Sequence, residues 1–512
     1  METIAPILLQ DNGVDATTVI EVARRDRPVA LGDSARAALQ RGADVVAGLA
    51  DRDDPVYGVS TGFGALANTV IPTDRSAELQ LALVRSHAAG MGPPLEREVV
   101  RAMMLLRARS LAMGFAGVRP IVAQAICDLL NLAITPVVPE HGSVGASGDL
   151  APLATAALAL LGEGMVDTPD GRTTAARALA AADLQPLVLS AKEGLALVNG
   201  TDGMLGMLVL AVADLRDLYL VADIAGAMST EALMGTDRAF DADLVGMRPQ
   251  VGQQASAANL RALLAESPIV ASHRHDDDRV QDAYSLRCTP QVHGAGRDTI
   301  DHVATIADRE LVSFIDNPVV LPDGRVASCG NFHGAPVAYA ADLLAIPIAD
   351  LSALSERRTD RLLDPARSHG LPPFLTPDAG VNSGLMIAQY TQAAMVTTNR
   401  RLAAPASVDT ISTSAGQEDH VSMGWGAGRK LREAVDNLRR ILAVEILAAT
   451  HGLLLRAPLH PAPATAAVAD LVADAVGGPG PDAHLEPRLT AVEHLLADGA
   501  LLRVAHDHAD LT

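Results

Sequence analysis

Between Arg429 and His451 the chain carries neither glycine nor proline, and Leu431, Val435, Leu438, Leu442 and Ile446 fall on one stripe at helical spacing. The pattern predicts a helix about 35 Å long at 1.5 Å per residue, and the apolar stripe assigns it to a bundle or a subunit interface. Ala151 to Leu161 is an Ala/Leu run preceded by Asp149, an N-cap residue type, and carries Pro152 in its first turn, so it predicts a second helix. Leu79 to Gly92 reads as an apolar helical stretch with His87 near its end. Pro94 then opens a helix with Val99, Met103 and Leu106 on one face, ending near Gly114. Asp167 to Gly171 reads as a turn, and Lys192 to Asp202 leads into another long apolar helix.

Composition strengthens the helical reading. Of 512 residues, 49% are hydrophobic but only 2% aromatic, so the core is built from Ala, Leu, Val, Ile and Met, a mixture that favours packed helices over sheets. We therefore expect a mainly α protein. The net charge of -21 repels phosphate backbones and anionic membrane surfaces, which argues against a nucleic-acid or membrane partner. The first residues lack a basic segment followed by a long apolar core, and apolar runs such as Met204 to Ala213 are too short to span a bilayer, so a cytoplasmic location is expected. Cys127, Cys288 and Cys329 form no C-x-x-C pair, which fits a reducing compartment. His273-Arg274-His275-Asp276-Asp277-Asp278 matches none of the usual metal-ligand spacings, and Arg274 and Arg279 oppose a cation; no metal site is expected there.

The chemistry centres on Ala146-Ser147-Gly148, inside Gly145-Ala146-Ser147-Gly148-Asp149-Leu150. The amide nitrogen of Gly148 can attack the carbonyl carbon of Ala146, and loss of water from the ring and from the serine leaves a methylidene-imidazolone whose methylene derives from Ser147. Glycine suits the attacking position because it has no side chain to hinder the nitrogen. The helix that follows presents roughly half a positive elementary charge at its N-terminus, which favours negative charge on the ring oxygen. The same letters also read as a plain Gly/Ser turn before a helix. A third reading, a serine-hydrolase elbow with Ser147 as nucleophile, needs glycine where Asp149 stands.

Other polar residues stand out against the apolar background. Tyr57-Gly58-Val59-Ser60-Thr61-Gly62-Phe63-Gly64 is a glycine-rich loop without the spacing of a dinucleotide fingerprint, and reads as a lid or a surface turn. Asn199 is an amide among apolar neighbours and needs hydrogen-bond partners if buried. Gln281, Tyr284 and Arg287 would share a face at helical pitch, with arginine the preferred bidentate partner of a carboxylate. Asp316-Asn317-Pro318 is a turn signal, and Cys329 to Gly334 and Ser414 to His420 are further polar loops.

These stretches, in this order along the chain, resemble the aromatic amino acid ammonia-lyases that make their own methylidene-imidazolone (MIO), most closely those that act on histidine. The resemblance runs through Tyr57 to Gly64, Gly145 to Leu150, Glu193 to Thr201, Gln281 to Arg287, Gly330-Asn331-Phe332-His333 and Gln417-Glu418-Asp419-His420. It implies a long central helical bundle with a smaller N-terminal part, which we divide as residues 1–110, carrying the Tyr57 loop, and 111–512. It implies a homotetramer with active sites shared between subunits, MIO formed from Ala146-Ser147-Gly148 with no external cofactor, and elimination of ammonia from L-histidine to give trans-urocanate. Tyrosine or phenylalanine lyases and aminomutases of the same family are the alternatives.

The resemblance also distributes roles. Tyr57 would remove the β-proton, for which its phenol must titrate below the usual value of about 10. Tyr284 would assist proton transfer, Arg287 would hold the substrate carboxylate, and Asn199 and Gln281 would bond to the imidazolone and to substrate polar groups. Asn317 and Phe332 would line the pocket, while His87 and Glu418 would contact the side chain, suiting an imidazole with one donor and one acceptor. Two departures stand beside these matches. Arg248-Pro249-Gln250-Val251-Gly252-Gln253 replaces the family's Arg-Pro-His-Pro-Gly-Gln, and His293 puts a polar ring where an apolar residue is expected.

Overall fold

An apolar, aromatic-poor chain has little to build a sheet from, and the protein folds mainly into helices joined by short strands. The computed structural model describes residues 5–49, 61–275, 277 and 279–512. Contacts divide the chain into two units. The first comprises Met1–Leu210, Ala304–Asp342 and Pro405–Arg429, and the second Ala211–Val303, Leu343–Ala404 and Lys430–Thr512.

All the described strands lie in the first unit. Ile7–Leu9 pairs in parallel with Val29–Leu31, Met91–Pro94 is antiparallel to Pro139–His141, and Thr135–Pro136, Met165–Thr168 and Gly171–Thr174 form a small antiparallel sheet. The Asp167 to Gly171 turn closes its hairpin. Pro94, expected to open a helix, ends a strand instead, and the helix runs Arg97–Ala112. Strand pairing with Pro139–His141 takes the residues that local propensity assigns to the helix start. That helix is buried on nearly every face, so its arginines must find acceptors. Arg101 donates to the carbonyls of Val22 and Leu130, and Arg107 to those of Asn199 and Ile315. Buried guanidinium groups thereby tie segments distant in sequence, helical and loop alike, to one helix.

The second unit is a helical bundle. Segments of the long helices Asp202–Ala232, Thr289–Leu311, Ala335–Leu363 and Gly424–Leu455 run through it, beside Met386–Leu402. Gln392 donates to the carbonyl of Ile441 at 3.0 Å and Asn399 to that of Ala434 at 3.2 Å, pinning neighbouring helices. His293 is accommodated by a partner rather than by apolar packing: its Nδ1 lies 2.7 Å from Asp223 Oδ1, and both side chains are buried. Arg358 pairs with Glu445 in the same interior. The Gln250 and Val251 departure falls at the start of the helix Val251–Leu263, with Val251 exposed.

Two sequence expectations need correction. The stripe that predicted a helix from Arg429 extends to Gly424–Leu455, 32 residues, because packing overrides the low helix propensity of three glycines at its start. The apolar run at Met204 belongs to a helix of 31 residues, Asp202–Ala232. By length and composition it and Ala335–Leu363 could cross a bilayer, but the apolar window of the former is buried throughout within the protein, as in a core helix.

Candidate active site

The loop at Ser147 is held by the backbone around it. Ser147 adopts φ +52° and Gly148 φ +86°, both left-handed, and Gly145 bridges to Gly148. Gly148 is irreplaceable here: a Cβ at this position would lie 2.1 Å from the carbonyl oxygen of Gly200. Asp149 N donates to that carbonyl at 2.7 Å, and Met423 N donates to Val144 O at 3.0 Å. Sequence-dictated backbone freedom and these anchors produce a sharp, fixed bend.

Asp149 precedes the helix Leu150–Leu160 as expected, but its side chain does not cap that helix. Its carboxylate instead accepts the N–H groups of Gly203 and Met204, both at 2.9 Å, at the start of Asp202–Ala232, and the hydroxyl of Ser143 at 3.2 Å. Burial pushes the carboxyl up to about 7, outweighing the hydrogen bonds from Met204, Ser143 and Gly203 that favour its charged form. The helix Leu150–Leu160 thus keeps an N-terminus unneutralised by a capping carboxylate, three residues beyond Ser147.

Ser147 borders a cavity of about 480 Å³, a size suited to a small molecule. Residues of the first unit supply its walls. Apolar surface comes from Phe63, Leu66, Leu83 and Val198, and polar groups from His87, Asn199, Asn317 and Glu418. His87 closes the helix Ser76–His87. Burial lowers its pKa, against the raising influence of the Leu83 carbonyl and the Glu418 charge, so the imidazole is neutral near pH 7. Thr413 Oγ1 donates to Glu418 Oε2 at 2.7 Å, and Ala65 N donates to Ser414 Oγ at 3.1 Å, joining the two loops beside Glu418.

Asn199 follows the short helix Glu193–Val198 and is 3% exposed. Its Nδ2 donates to Asp316 Oδ1 at 3.0 Å and to Asn317 O at 2.9 Å. Behind it, Lys192 Nζ lies 2.7 Å from Asp316 Oδ2. Neither member of this ion pair stands out as a site residue in the sequence. Each is a single charged letter in a turn or helix start, and only the fold brings them together.

Among the sequence candidates, Ser147, His87, Asn199, Asn317 and Glu418 line one cavity. Ala146 and Gly148 flank Ser147 and are buried. Tyr57 lies outside the described residues. Phe332, in the loop before Ala335–Leu363, is not among the described residues lining that cavity. Gln281, Tyr284 and Arg287 line a different pocket, of about 320 Å³, in the second unit. There Tyr284 is 71% exposed, and the Arg287 guanidinium carbon sits 4.4 Å from the centroid of its ring. Arg287 Nε donates to Asp282 O at 3.0 Å. Helical pitch put only Tyr284 and Arg287 on the four-residue helix Tyr284–Arg287, with Gln281 in the preceding turn.

Comparison with known proteins agrees with this arrangement. The family model for aromatic amino acid lyases matches residues 14–474. The chain is 58% identical to a histidine ammonia-lyase of Streptomyces coelicolor over 501 residues, 98% of each chain. It is 59% identical to one of Streptomyces griseus over 500 residues, 97% of each. Its fold superposes on histidine ammonia-lyase from Trypanosoma cruzi with a TM-score of 0.90 and 38% identity, covering 99% of this chain and 96% of that one. A tyrosine aminomutase from Streptomyces globisporus matches with a TM-score of 0.93 and 35% identity over 99% and 100% of the two chains. With the serine tripeptide set in its bend beside a polar-ended cavity, and with similarity along almost its whole length, this chain belongs to the aromatic amino acid lyase family.

Proposed function

We propose that this protein eliminates ammonia from L-histidine to give trans-urocanate. The observation that carries the substrate is the presence of both His87 and Glu418 in the wall of the cavity that Ser147 borders. A neutral imidazole has one donor and one acceptor, and a cavity wall that carries a carboxylate and a neutral histidine can satisfy both, whereas a phenyl side chain offers these groups neither.

The bend at Ala146-Ser147-Gly148 fits formation of MIO, since Ser147 and Gly148 both take the left-handed turn that cyclisation needs and Gly148 puts no side chain beside its own nitrogen. Once formed, that group supplies the electrophile that turns the α-amine into a leaving group. The residues around it do the rest. Tyr57 takes the β-proton and Tyr284 assists. Asn199 and Asn317 orient the polar end, Phe332 shields it, and Gln281 and Arg287 bind the substrate's polar groups. Arg287 spends its Nε on Asp282 O, which leaves its two Nη groups for a carboxylate. As the family resemblance implies, we place the complete site in a homotetramer whose subunits share their residues.

The test is direct. Incubation with L-histidine should raise ultraviolet absorbance as urocanate accumulates; a flat trace, with tyrosine or phenylalanine consumed instead, overturns the substrate. The likeness to a tyrosine aminomutase favours one second reading, in which the product is a β-amino acid, and chromatography of the product separates the two.

A further inference from the structure

Lys192 and Asp316 form an ion pair from which water is excluded, with side chains 0% and 1% exposed. Such a pair is a poor device for stability, because desolvation offsets its attraction and an apolar pair of similar size often does as well. Lys192 also adopts a left-handed backbone, φ +67°, a conformation that is costly for a lysine and calls for a reason beyond packing.

The reason lies in what the pair does to Asn199. Lys192 engages Asp316 Oδ2, so Asp316 turns Oδ1 to Asn199 Nδ2, and Asn317 O takes the second amide proton. Both acceptors sit on one side of the carboxamide. Its backbone is fixed too, since Arg107 Nη1 donates to Asn199 O at 2.7 Å. The carboxamide oxygen, Oδ1, is buried and has no described hydrogen-bond partner, on a side chain that lines the same cavity as Ser147. A buried acceptor without a donor carries an unrelieved desolvation penalty, which a substrate N–H would relieve.

We propose that Lys192 and Asp316 are positioning residues of ammonia elimination: together they orient the Asn199 carboxamide so that it presents its oxygen, and never its nitrogen, to the amine of the substrate. The inference rests on the assignment of this cavity to ammonia elimination. It adds residues that never touch the substrate.

The deciding experiment pairs Asp316→Asn with the double variant Lys192→Met/Asp316→Asn. In the single variant Lys192 claims the new carbonyl, the new NH2 group faces Asn199, and the Asn199 amide must turn round. Its kcat/KM should fall by about tenfold or more, the scale of one hydrogen bond to a charged group. In the double variant no cation fixes the new amide, which can turn its oxygen back to Asn199, and at least about half of the lost activity on a logarithmic scale should return. Both variants should keep the intact-mass deficit of two waters and a cooperative melt. Wild-type kcat/KM in Asp316→Asn overturns the proposal. So does a double variant no better than the single, or a loss of activity matched by loss of the mass deficit or of the melt. Wild-type protein is assayed alongside on L-histidine, phenylalanine and tyrosine, and the variants on whichever it deaminates, so an error in the substrate shows in the wild type alone.

Discussion

The carboxylate of Asp149 accepts the backbone N–H of Met204 at 2.9 Å, so the residue that stands before one helix caps another, more than fifty residues on. The helix Leu150–Leu160 begins three residues beyond Ser147 without a capping hydrogen bond from the Asp149 side chain, while Asp202–Ala232 has N–H groups of its first turn satisfied by that buried carboxylate. One side chain therefore serves two ends: it secures the long helix, and by turning away it preserves the field at the reactive loop.

That arrangement predicts a pH signature. The Asp149 carboxyl is raised to about 7 by burial, well above its value of about 4 in an unfolded chain. A raised folded-state value means that the protonated carboxyl contributes stability fully below about pH 4, and that this contribution is lost as pH rises through about 7. Asp149→Asn removes the titration while keeping an acceptor for Met204. Thermal melts from pH 4 to pH 8 should show a flatter dependence for the variant, which gains on the wild type by about 1–3 kcal/mol across the window. Parallel curves for the two proteins would sink the idea.

On the proposed mechanism, Ser147→Ala deletes the methylene source alone. The cavity keeps its walls and Gly148 keeps its left-handed bend, so the variant should fold with an unchanged melt. Turnover should drop by roughly a thousandfold or more, about 4 kcal/mol of barrier, and the mass deficit of two waters should vanish. Near-wild-type turnover in this variant is incompatible with the mechanism.

The parts of this site that the sequence discloses are those whose chemistry is local. Ala146-Ser147-Gly148 carries its own reactivity, and the stripe from Leu431 to Ile446 carries its own period. His87, Asn199 and Glu418 could be picked out as polar letters in apolar or loop surroundings, but their convergence on one cavity follows from the packing of separate segments. Lys192 and Asp316 are 124 residues apart, and no spacing rule links them. Asp149 misleads for a related reason: its N-cap position is a local signal, and a long-range partner at Met204 wins because a buried carboxylate gains more from two N–H groups than from one. Pro94 was drawn into a strand in the same way.

On the proposed reading, His87 and Glu418 govern which amino acid is accepted. His87→Leu removes one of the two polar groups offered to an imidazole and gives an apolar wall, so kcat/KM for histidine should fall by about 10–100-fold while that for phenylalanine rises. Glu418 is held by Thr413 in either case, which keeps the loop in place. Competition assays with both substrates read the ratio. An unchanged preference would show that the pair lines the cavity without choosing its occupant.

Ser147 borders a cavity in one unit and Arg287 lines a pocket in the other, which makes the sharing of sites between subunits testable by mixing. Ser147→Ala subunits lack the electrophile, and Arg287→Ala subunits lack the carboxylate clamp; each homomer should be nearly inactive. If a site takes Ser147 from one copy and Arg287 from another, co-expression of the two variants creates some sites that are intact in both respects. Random assembly makes about one site in four intact. Co-purified mixed oligomers, isolated through a different tag on each variant, should therefore recover on the order of a quarter of wild-type turnover. If both residues of a site come from the same chain, every site in the mixture carries one lesion, and activity stays at the sum of the two inactive parents.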